Sequence, residues 1–161
     1  MAKPISFVSK LRTPTNEGDV THAGILIDRV TTFESLWTVR RQNIYQAYAG
    51  SHVLVGRFVD MTDAAFARGF AIVAPYEGKW YPFPRLFMFV LTPILVKYIA
   101  PAKIIGMGLF SDVVCSELVG LFAKYAGMEG WDQFRGLMPA HLADRIRRWD
   151  LLEVIFDGVL P

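Results

Sequence analysis

The sequence is poor in the residues that build disulfides and metal sites. Its 161 residues include a single cysteine, Cys115, and only three histidines. One cysteine cannot form a disulfide within the chain, so the sequence carries no sign of an oxidising compartment. Histidine and cysteine never occur together at metal-ligand spacing. We therefore predict a protein without a metal site and without a cofactor.

The chain also has no large excess of positive or negative charge. The formal net charge is only +2, and the arginines stand among carboxylates rather than in a continuous run. Proteins that bind nucleic acids usually concentrate Lys and Arg on one face. Basic pairs such as Arg40-Arg41 and Arg147-Arg148 are therefore predicted to lie on solvated faces, and no nucleic-acid partner is expected.

Two kinds of apolar segment are missing as well. The first residues, Met1 to Lys10, contain no continuous apolar core of the kind that a signal peptide needs. The uncharged run from Leu86 to Val96 falls well short of the roughly 20 residues that cross a bilayer, and Pro93 would kink it. These features predict a cytoplasmic or virion-associated location.

What the chain has in excess is apolar residues. They make up 53% of the sequence, against about 45–50% in ordinary soluble proteins. The length suits a single domain over residues 1–161 with a full core. The apolar stretch near residues 82–110 is interpreted as an insert in this domain. It is either a buried helix or strand that covers the sheet, or a lipid-facing or partner-facing surface beside the site.

Periodicity and turn residues predict several elements around this insert. A helix is predicted over Thr62–Ala74, capped by Thr62 or Asp60. A helical turn at Ile44–Ala49 precedes a strand from His52 to Val59, and His52 is interpreted as a strand-end residue rather than as a second base. The apolar residues Leu151–Phe156 are predicted to dock on the body as a last strand or helical turn.

The single cysteine stands at the predicted start of a buried helix. Asp112 is the predicted N-cap, and apolar residues recur behind it at helical spacing, at Val114, Leu118, Leu121 and Phe122. The positive end of a helix dipole favours the nucleophilic thiolate of a cysteine in the first turn. A free cysteine is also a common small apolar filler of protein cores. Position alone therefore does not decide between a nucleophile and a filler.

A predicted hairpin near the N-terminus supplies the two other candidate residues. One strand-type run begins at His22 and another extends from Phe33 to Val39, with the polar turn Asp28–Thr32 between them. When such a turn holds an odd number of residues, the numbers of paired residues sum to an even number. His22 and Glu34 then face the same side, because side chains alternate along a strand. Taken alone, each would be interpreted as an ordinary strand residue.

Together, these residues meet the chemical needs of a thiol nucleophile. A thiolate requires a base that takes its proton, and the base requires a third group that orients it. We therefore predict Cys115 as the nucleophile, His22 as the base and Glu34 as the orienting carboxylate. The backbone N–H of Cys115 at the helix start is the predicted oxyanion donor.

Three segments in this order resemble the circularly permuted NlpC-type papain-fold hydrolases, especially their YiiX-like branch. Thr21–Ile25 resembles the histidine strand of that family, and Phe33–Ser35 is similar to the aromatic-Glu-small element on its next strand. Val114–Val119 is similar to the Cys-Ser-Glu start of its cysteine helix. The permuted order, with histidine first and cysteine last, is the more specific part of the resemblance.

Weaker similarities and two departures accompany these segments. Gly78–Tyr81, Met138–Leu142 and Arg57 fall where the family places related residues. Family members usually begin with a Gly-Asp strand well upstream of the histidine, but here Gly18-Asp19 directly precedes it. The second departure is the apolar insert.

The resemblance implies an α+β protein with a permuted papain-like fold, in which an antiparallel sheet packs on helices that include the cysteine-bearing helix. It implies a thiol hydrolase or acyltransferase that forms a thioester on Cys115 from an amide or ester in a cell-wall peptide, another amide or a lipid. Tyr81 is a candidate substrate-binding residue, and peripheral membrane contact is a candidate interaction. The alternative is a non-catalytic binding or assembly module of a phage or membrane complex that retains the fold. The sequence does not indicate an oligomeric state.

Overall fold

The computed structural model describes residues 20–80, 114–133, 135, 137, 139–148 and 152–161. In this part of the chain the protein is a mixed α+β structure with small antiparallel sheets and helices, as predicted. The elements in chain order are β1 (Gly24–Leu26), β2 (Thr31–Ser35), β3 (Val39–Asn43), α1 (Ile44–Ala47), β4 (His52–Phe58), α2 (Asp63–Val73), α3 (Cys115–Ala126), α4 (Pro139–Arg148) and β5 (Leu152–Val159). Strands β1, β2 and β3 form one antiparallel sheet, and β4 pairs with β5 in a second.

The β1–β2 hairpin closes through a short loop that an aspartate stabilises. The N–H of Ile27 donates to the carbonyl of Thr31 at 3.0 Å. The Asp28 carboxylate accepts hydrogen bonds from the N–H groups of Val30 and Thr31, each at 2.8 Å. An aspartate that bonds the backbone two and three residues ahead favours a tight turn. The loop inside the Ile27–Thr31 closure is odd in length, which confirms the predicted parity.

The predicted bounds of the second strand were wrong. Strand β2 already begins at Thr31 and ends at Ser35, whereas Val39 belongs to β3. The chain turns between the two strands, where the N–H of Leu36 donates to the carbonyl of Thr38 at 3.3 Å. Trp37 in this turn is half exposed. Trp37 made the predicted strand too long, because aromatic residues are typical of strands.

Helix α2 confirms its predicted bounds and cap. The Thr62 hydroxyl accepts a hydrogen bond from the N–H of Ala65 at 3.1 Å, which satisfies one of the free N–H groups at the helix start. The helix packs on α3 with Gly69 at the crossing, where a Cβ atom would lie 2.6 Å from the carbonyl oxygen of Phe122. The absence of a side chain at position 69 therefore lets the two backbones approach closely.

The core joins the cysteine-bearing helix to the hairpin. Phe33 and Leu118 are completely buried, and Ile25 and Phe122 are nearly so. Ile25 and Phe33 are direct partners across the β1–β2 ladder and lie on one face of it. Helix α3 contacts both β1 and β2. Burial of these large apolar side chains, worth about 1.5–3 kcal/mol each, holds the start of α3 against the hairpin.

The second sheet confirms two further predictions. Strand β4 covers His52–Phe58, close to the predicted strand from His52 to Val59. The apolar C-terminal segment is a strand, β5, which pairs antiparallel with β4 from end to end apart from a bulge at Ile155. Helix α4 contacts both strands. The predicted helical turn after the first sheet is present as α1, which begins after an Asn43 cap.

Several predictions fall outside the described residues. They concern the candidate substrate-binding residue Tyr81 and the apolar insert at 82–110. Among the residues that the structure describes, no helix is both long and apolar enough to cross a membrane.

Candidate active site

Cys115 is the first residue of helix α3. Val114, rather than the predicted Asp112, occupies the N-cap position. The Glu117 carboxylate accepts a hydrogen bond from the N–H of Val114 at 3.5 Å, so the capping interaction comes from inside the helix and needs no polar side chain at the cap. The carbonyl of Val114 accepts from the N–H of Leu118 at 2.9 Å, the first helical bond. The N–H groups of the first turn, including that of Cys115, therefore have no helical carbonyl.

The helix start is buried and anchored on its far side. Cys115, Ser116 and Glu117 are all buried. The Ser116 hydroxyl donates to the backbone carbonyl of Leu137, in the segment that precedes α4. A buried thiol at a helix start can act as a nucleophile only when a neighbouring group accepts its proton.

His22 is that neighbouring acceptor. Its ring lies within hydrogen-bonding reach of the Cys115 side chain. Its Nε2 atom is 2.7 Å from Oε2 of Glu34, which leaves Nδ1 for the thiol. The predicted hydrogen bond between His22 and Glu34 is confirmed. The interaction of His22 with the Cys115 side chain agrees with the predicted approach of the two residues. The three side chains form one connected chain from sulfur to imidazole to carboxylate.

The hairpin register explains why His22 and Glu34 meet. Glu34 lies directly opposite Gly24 in the ladder, and His22 precedes Gly24 by two positions on the same face. Gly24 has no side chain, and a Cβ there would lie 3.0 Å from the Glu34 Cβ. The glycine therefore leaves room for the Glu34 side chain to turn towards His22.

The electrostatics of the site favour a protonated His22. Burial by itself would lower the pKa of His22, but hydrogen bonds to Cys115 and Glu34 and the negative charge of these groups raise it to about 9. The ring can therefore hold a proton at neutral pH while it lies beside sulfur. This is the property that a base needs when it must keep the proton of a thiol during attack.

Tyr48, which was not among the residues predicted from the sequence, also binds the Glu34 carboxylate. Its hydroxyl donates to Oε2 of Glu34, the oxygen that also binds His22. Its ring stacks on that of His22 with centroids 6.2 Å apart and an interplanar angle of 21°. Burial and the Glu34 carboxylate raise the pKa of Tyr48, so its hydroxyl remains a donor.

Tyr48 reaches the site because of a turn that begins at Asn43. The Asn43 side chain accepts from the N–H groups of Tyr45 and Gln46, at 2.9 and 3.2 Å. This cap starts the short helix α1 immediately after β3, and Tyr48 is the residue at its C-terminal end. The Asn cap is the one signal in the sequence that could have indicated the change of direction.

Other candidates from the sequence lie away from the triad. His52 is exposed and pairs with Asp157 at 3.2 Å, which confirms its interpretation as a strand-end residue. Arg57 is exposed on β4, opposite Glu153. Trp80, the residue before Tyr81, is exposed and forms a backbone bridge with Thr38. In the part of the chain that the structure describes, no group of three or more His, Cys, Asp or Glu residues could hold a metal ion.

A cavity of about 640 Å³ adjoins the triad. His22, Glu34 and Tyr48 line it on one side, and Val119, one helical turn after Cys115, also lines it. Its further walls come from β4, α4 and β5 and are mainly apolar, at Val53, Leu54, Val55, Phe58, Leu142, Ala143, Ile146 and Leu152. This volume falls within the range of about 300–1,000 Å³ that is typical of small-molecule pockets.

No protein family, curated protein or solved structure matches the chain. What the site can do is therefore decided by its own chemistry. A thiol at a helix start, an imidazole with a raised pKa and a buried carboxylate are together equipped for nucleophilic attack on an acyl carbon.

Proposed function

We propose that the protein is a thiol hydrolase or acyltransferase that acts on an amide or ester through a thioester on Cys115. The observation that supports it is the position of His22, with Nε2 2.7 Å from Glu34 and the Cys115 side chain within hydrogen-bonding reach of the same ring. An isolated core cysteine would not need a histidine that is itself oriented by a buried carboxylate. This arrangement favours catalysis over a purely structural cysteine.

In the proposed mechanism, the proton of the Cys115 thiol has passed to His22 before the attack, in keeping with the raised pKa of His22, and the sulfur then attacks the carbonyl carbon. The oxygen of the tetrahedral intermediate carries the negative charge and receives a hydrogen bond from the backbone N–H of Cys115. His22 then gives its proton to the leaving amine or alcohol, and the carbon–heteroatom bond breaks to leave the thioester. Glu34 holds the ring in place and stabilises its charged form throughout.

The second half of the cycle reverses these roles. His22 takes a proton from water or from a second nucleophile, which attacks the thioester carbon. Collapse of the new intermediate releases the acyl product and returns the electron pair to sulfur, while His22 keeps the proton that it took from the nucleophile. Water as the nucleophile makes the protein a hydrolase, and an alcohol or amine makes it an acyltransferase.

The papain-like fold with permuted order belongs to the same proposal. It is supported by the order of the parts, with His22 before β1, Glu34 on β2 and Cys115 at the start of α3. It is also supported by the packing of α3 directly on that hairpin. A reducing compartment such as the cytoplasm suits a single free thiol that acts as a nucleophile.

Thiol reactivity tests the proposal directly, because Cys115 is the sole cysteine and all alkylation reports on it. We expect iodoacetamide to label the native protein at pH 7 faster than it labels a free cysteine. His22→Ala should slow labelling by about 10²-fold, since general-base assistance contributes about 10²–10⁴-fold. His141→Gln, in helix α4, is the matched control and should label at the native rate.

A second measurement follows the acyl group itself. The protein is incubated with p-nitrophenyl acetate, and mass spectrometry locates the acetyl adduct. We expect acetylation of Cys115 that disappears in Cys115→Ala and in His22→Ala. Equal labelling of native and His22→Ala protein, without an acetyl adduct, would overturn the proposal and favour a non-catalytic module.

A further inference from the structure

Two buried polar atoms on one face of β2 have no hydrogen-bond partner among the residues that the structure describes. Thr32 is 5% exposed and Glu34 is 1% exposed. Within the described part of the chain, neither Oγ1 of Thr32 nor Oε1 of Glu34 makes a hydrogen bond. Both residues line the cavity beside the triad. They are two positions apart on the strand, so their side chains lie on the same face, about 6–7 Å apart along it.

Such atoms are rare in native proteins, because a buried polar group without a partner costs about as much as a lost hydrogen bond. Glu34 already uses its other oxygen, Oε2, for His22 and Tyr48. Its Oε1 can only accept while the carboxylate is ionised, whereas the Thr32 hydroxyl can donate or accept. A ligand that binds both atoms must therefore carry at least one N–H or O–H donor.

The other cavity walls restrict what can carry that donor. Leu54, Val55, Leu142 and Ile146 line the space across from β2. A ligand that fills it must be apolar over most of its surface. An anionic ligand group beside Glu34 would be repelled, because two like charges in a poorly hydrated site disfavour each other.

We propose that the cavity binds the acyl part of the substrate, and that this acyl group is an apolar chain with a hydroxyl or amide N–H close to its reacting carbonyl. Oε1 of Glu34 has almost no exposed surface in this structure, so the carboxylate turns towards the cavity to accept the hydrogen bond from the donor. The Thr32 hydroxyl binds the same polar group of the ligand. The inference rests on the proposed thioester chemistry, since the cavity is lined by both Glu34 and His22, the base that serves Cys115. Glu34 then serves both the base and the substrate.

Binding to Cys115→Ala tests the cavity without turnover. Isothermal titration calorimetry compares methyl octanoate with methyl 3-hydroxyoctanoate, which differ only in the hydroxyl. A parallel pair, N-acetylleucine methyl ester and N-acetyl-N-methylleucine methyl ester, tests the amide N–H, because the second ester carries a methyl group in place of that hydrogen. We expect the donor-bearing member of at least one pair to bind about tenfold more tightly or better, as a hydrogen bond to a charged acceptor provides. The pair that responds identifies the source of the donor.

A change at Thr32 tests the strand itself. Thr32→Val in the same background keeps the side-chain shape and should reduce the preferred pair's affinity ratio at least threefold. Thr38→Val is the matched control, since Thr38 does not line the cavity, and should keep the ratio. Equal affinities within both pairs, or a ratio that Thr32→Val leaves unchanged, would overturn the inference.

The experiments distinguish a failure of the proposed thioester chemistry from a failure of the proposed donor recognition. If Cys115 forms no acetyl adduct but the donor-bearing ester binds preferentially, the cavity stands as a ligand site and the thioester chemistry fails. If Cys115 is acetylated but neither ester pair differs in affinity, the chemistry stands and the donor-recognition inference is overturned.

Discussion

The hydroxyl of Tyr48 and the ring of His22 bind the same oxygen of Glu34, and the two rings also stack on each other. The carboxylate is thus held from two sides before it orients the imidazole. Tyr48 touches neither sulfur nor the proposed site of the acyl carbon in any described contact. We therefore assign it a positioning role, in which it limits the motion of Glu34 and His22.

Tyr48→Phe removes this hydrogen bond and retains the stacked ring. We expect the rate of Cys115 alkylation at pH 7 to fall about tenfold, because a hydrogen bond to a charged acceptor contributes about 1.5–3 kcal/mol. The pH profile of alkylation should also change, since the carboxylate beside His22 loses a donor. Tyr45→Phe, at an exposed tyrosine of the same short helix, should match the native rate and profile. Identical profiles for both variants would remove Tyr48 from the machinery.

Glu34→Gln tests the orienting carboxylate without changing its size. Loss of its negative charge and hydrogen bond should lower the pKa of His22 below its native value of about 9. NMR titration of the imidazole measures that pKa, and alkylation kinetics should slow by at least tenfold. Glu153→Gln, at the exposed position opposite Arg57, is the control. An unchanged His22 titration in Glu34→Gln would contradict the assignment.

Gly24→Ala tests the space that the hairpin leaves for Glu34. The added Cβ would meet the Glu34 Cβ at 3.0 Å, so the Glu34 side chain must move by a few tenths of an ångström. We expect slower alkylation of Cys115 together with a modest loss of stability. Gly50→Ala is the comparison, because Gly50 has a φ of +71°, which strains an alanine, but has open space around it. That variant should lose about 1 kcal/mol of stability and keep the native alkylation rate. Thermal unfolding measured beside alkylation separates the two effects.

The raised pKa of His22 also makes stability depend on pH. The folded state holds the proton with a pKa of about 9, against 6.5 for an unperturbed histidine. The stabilising contribution is therefore complete below about pH 6.5 and is lost as the pH rises through about 9. Urea unfolding of native and His22→Gln protein should show a stability difference that shrinks over this interval. A difference that grows with pH would show that the ring is neutral in the folded protein.

Local patterns were sufficient to predict most elements. The capped helix α2, the strand β4 and the C-terminal strand were found because each is encoded by short-range periodicity and nearby turn residues. The parity rule placed His22 and Glu34 on one face even though the strand bounds were wrong. A shift of the register by two residues moves a side chain along the strand but keeps it on the same face.

The sequence by itself determined which side chains can carry the chemistry, because residue type and strand parity are local properties. Only the tertiary structure decided that His22 reaches Cys115, since α3 is distant in sequence and is held against the hairpin by core packing. It also decided the role of Tyr48 and the unpartnered oxygens of Thr32 and Glu34. These features depend on contacts between β2 and residues that are distant in the sequence, and no local pattern encodes such contacts.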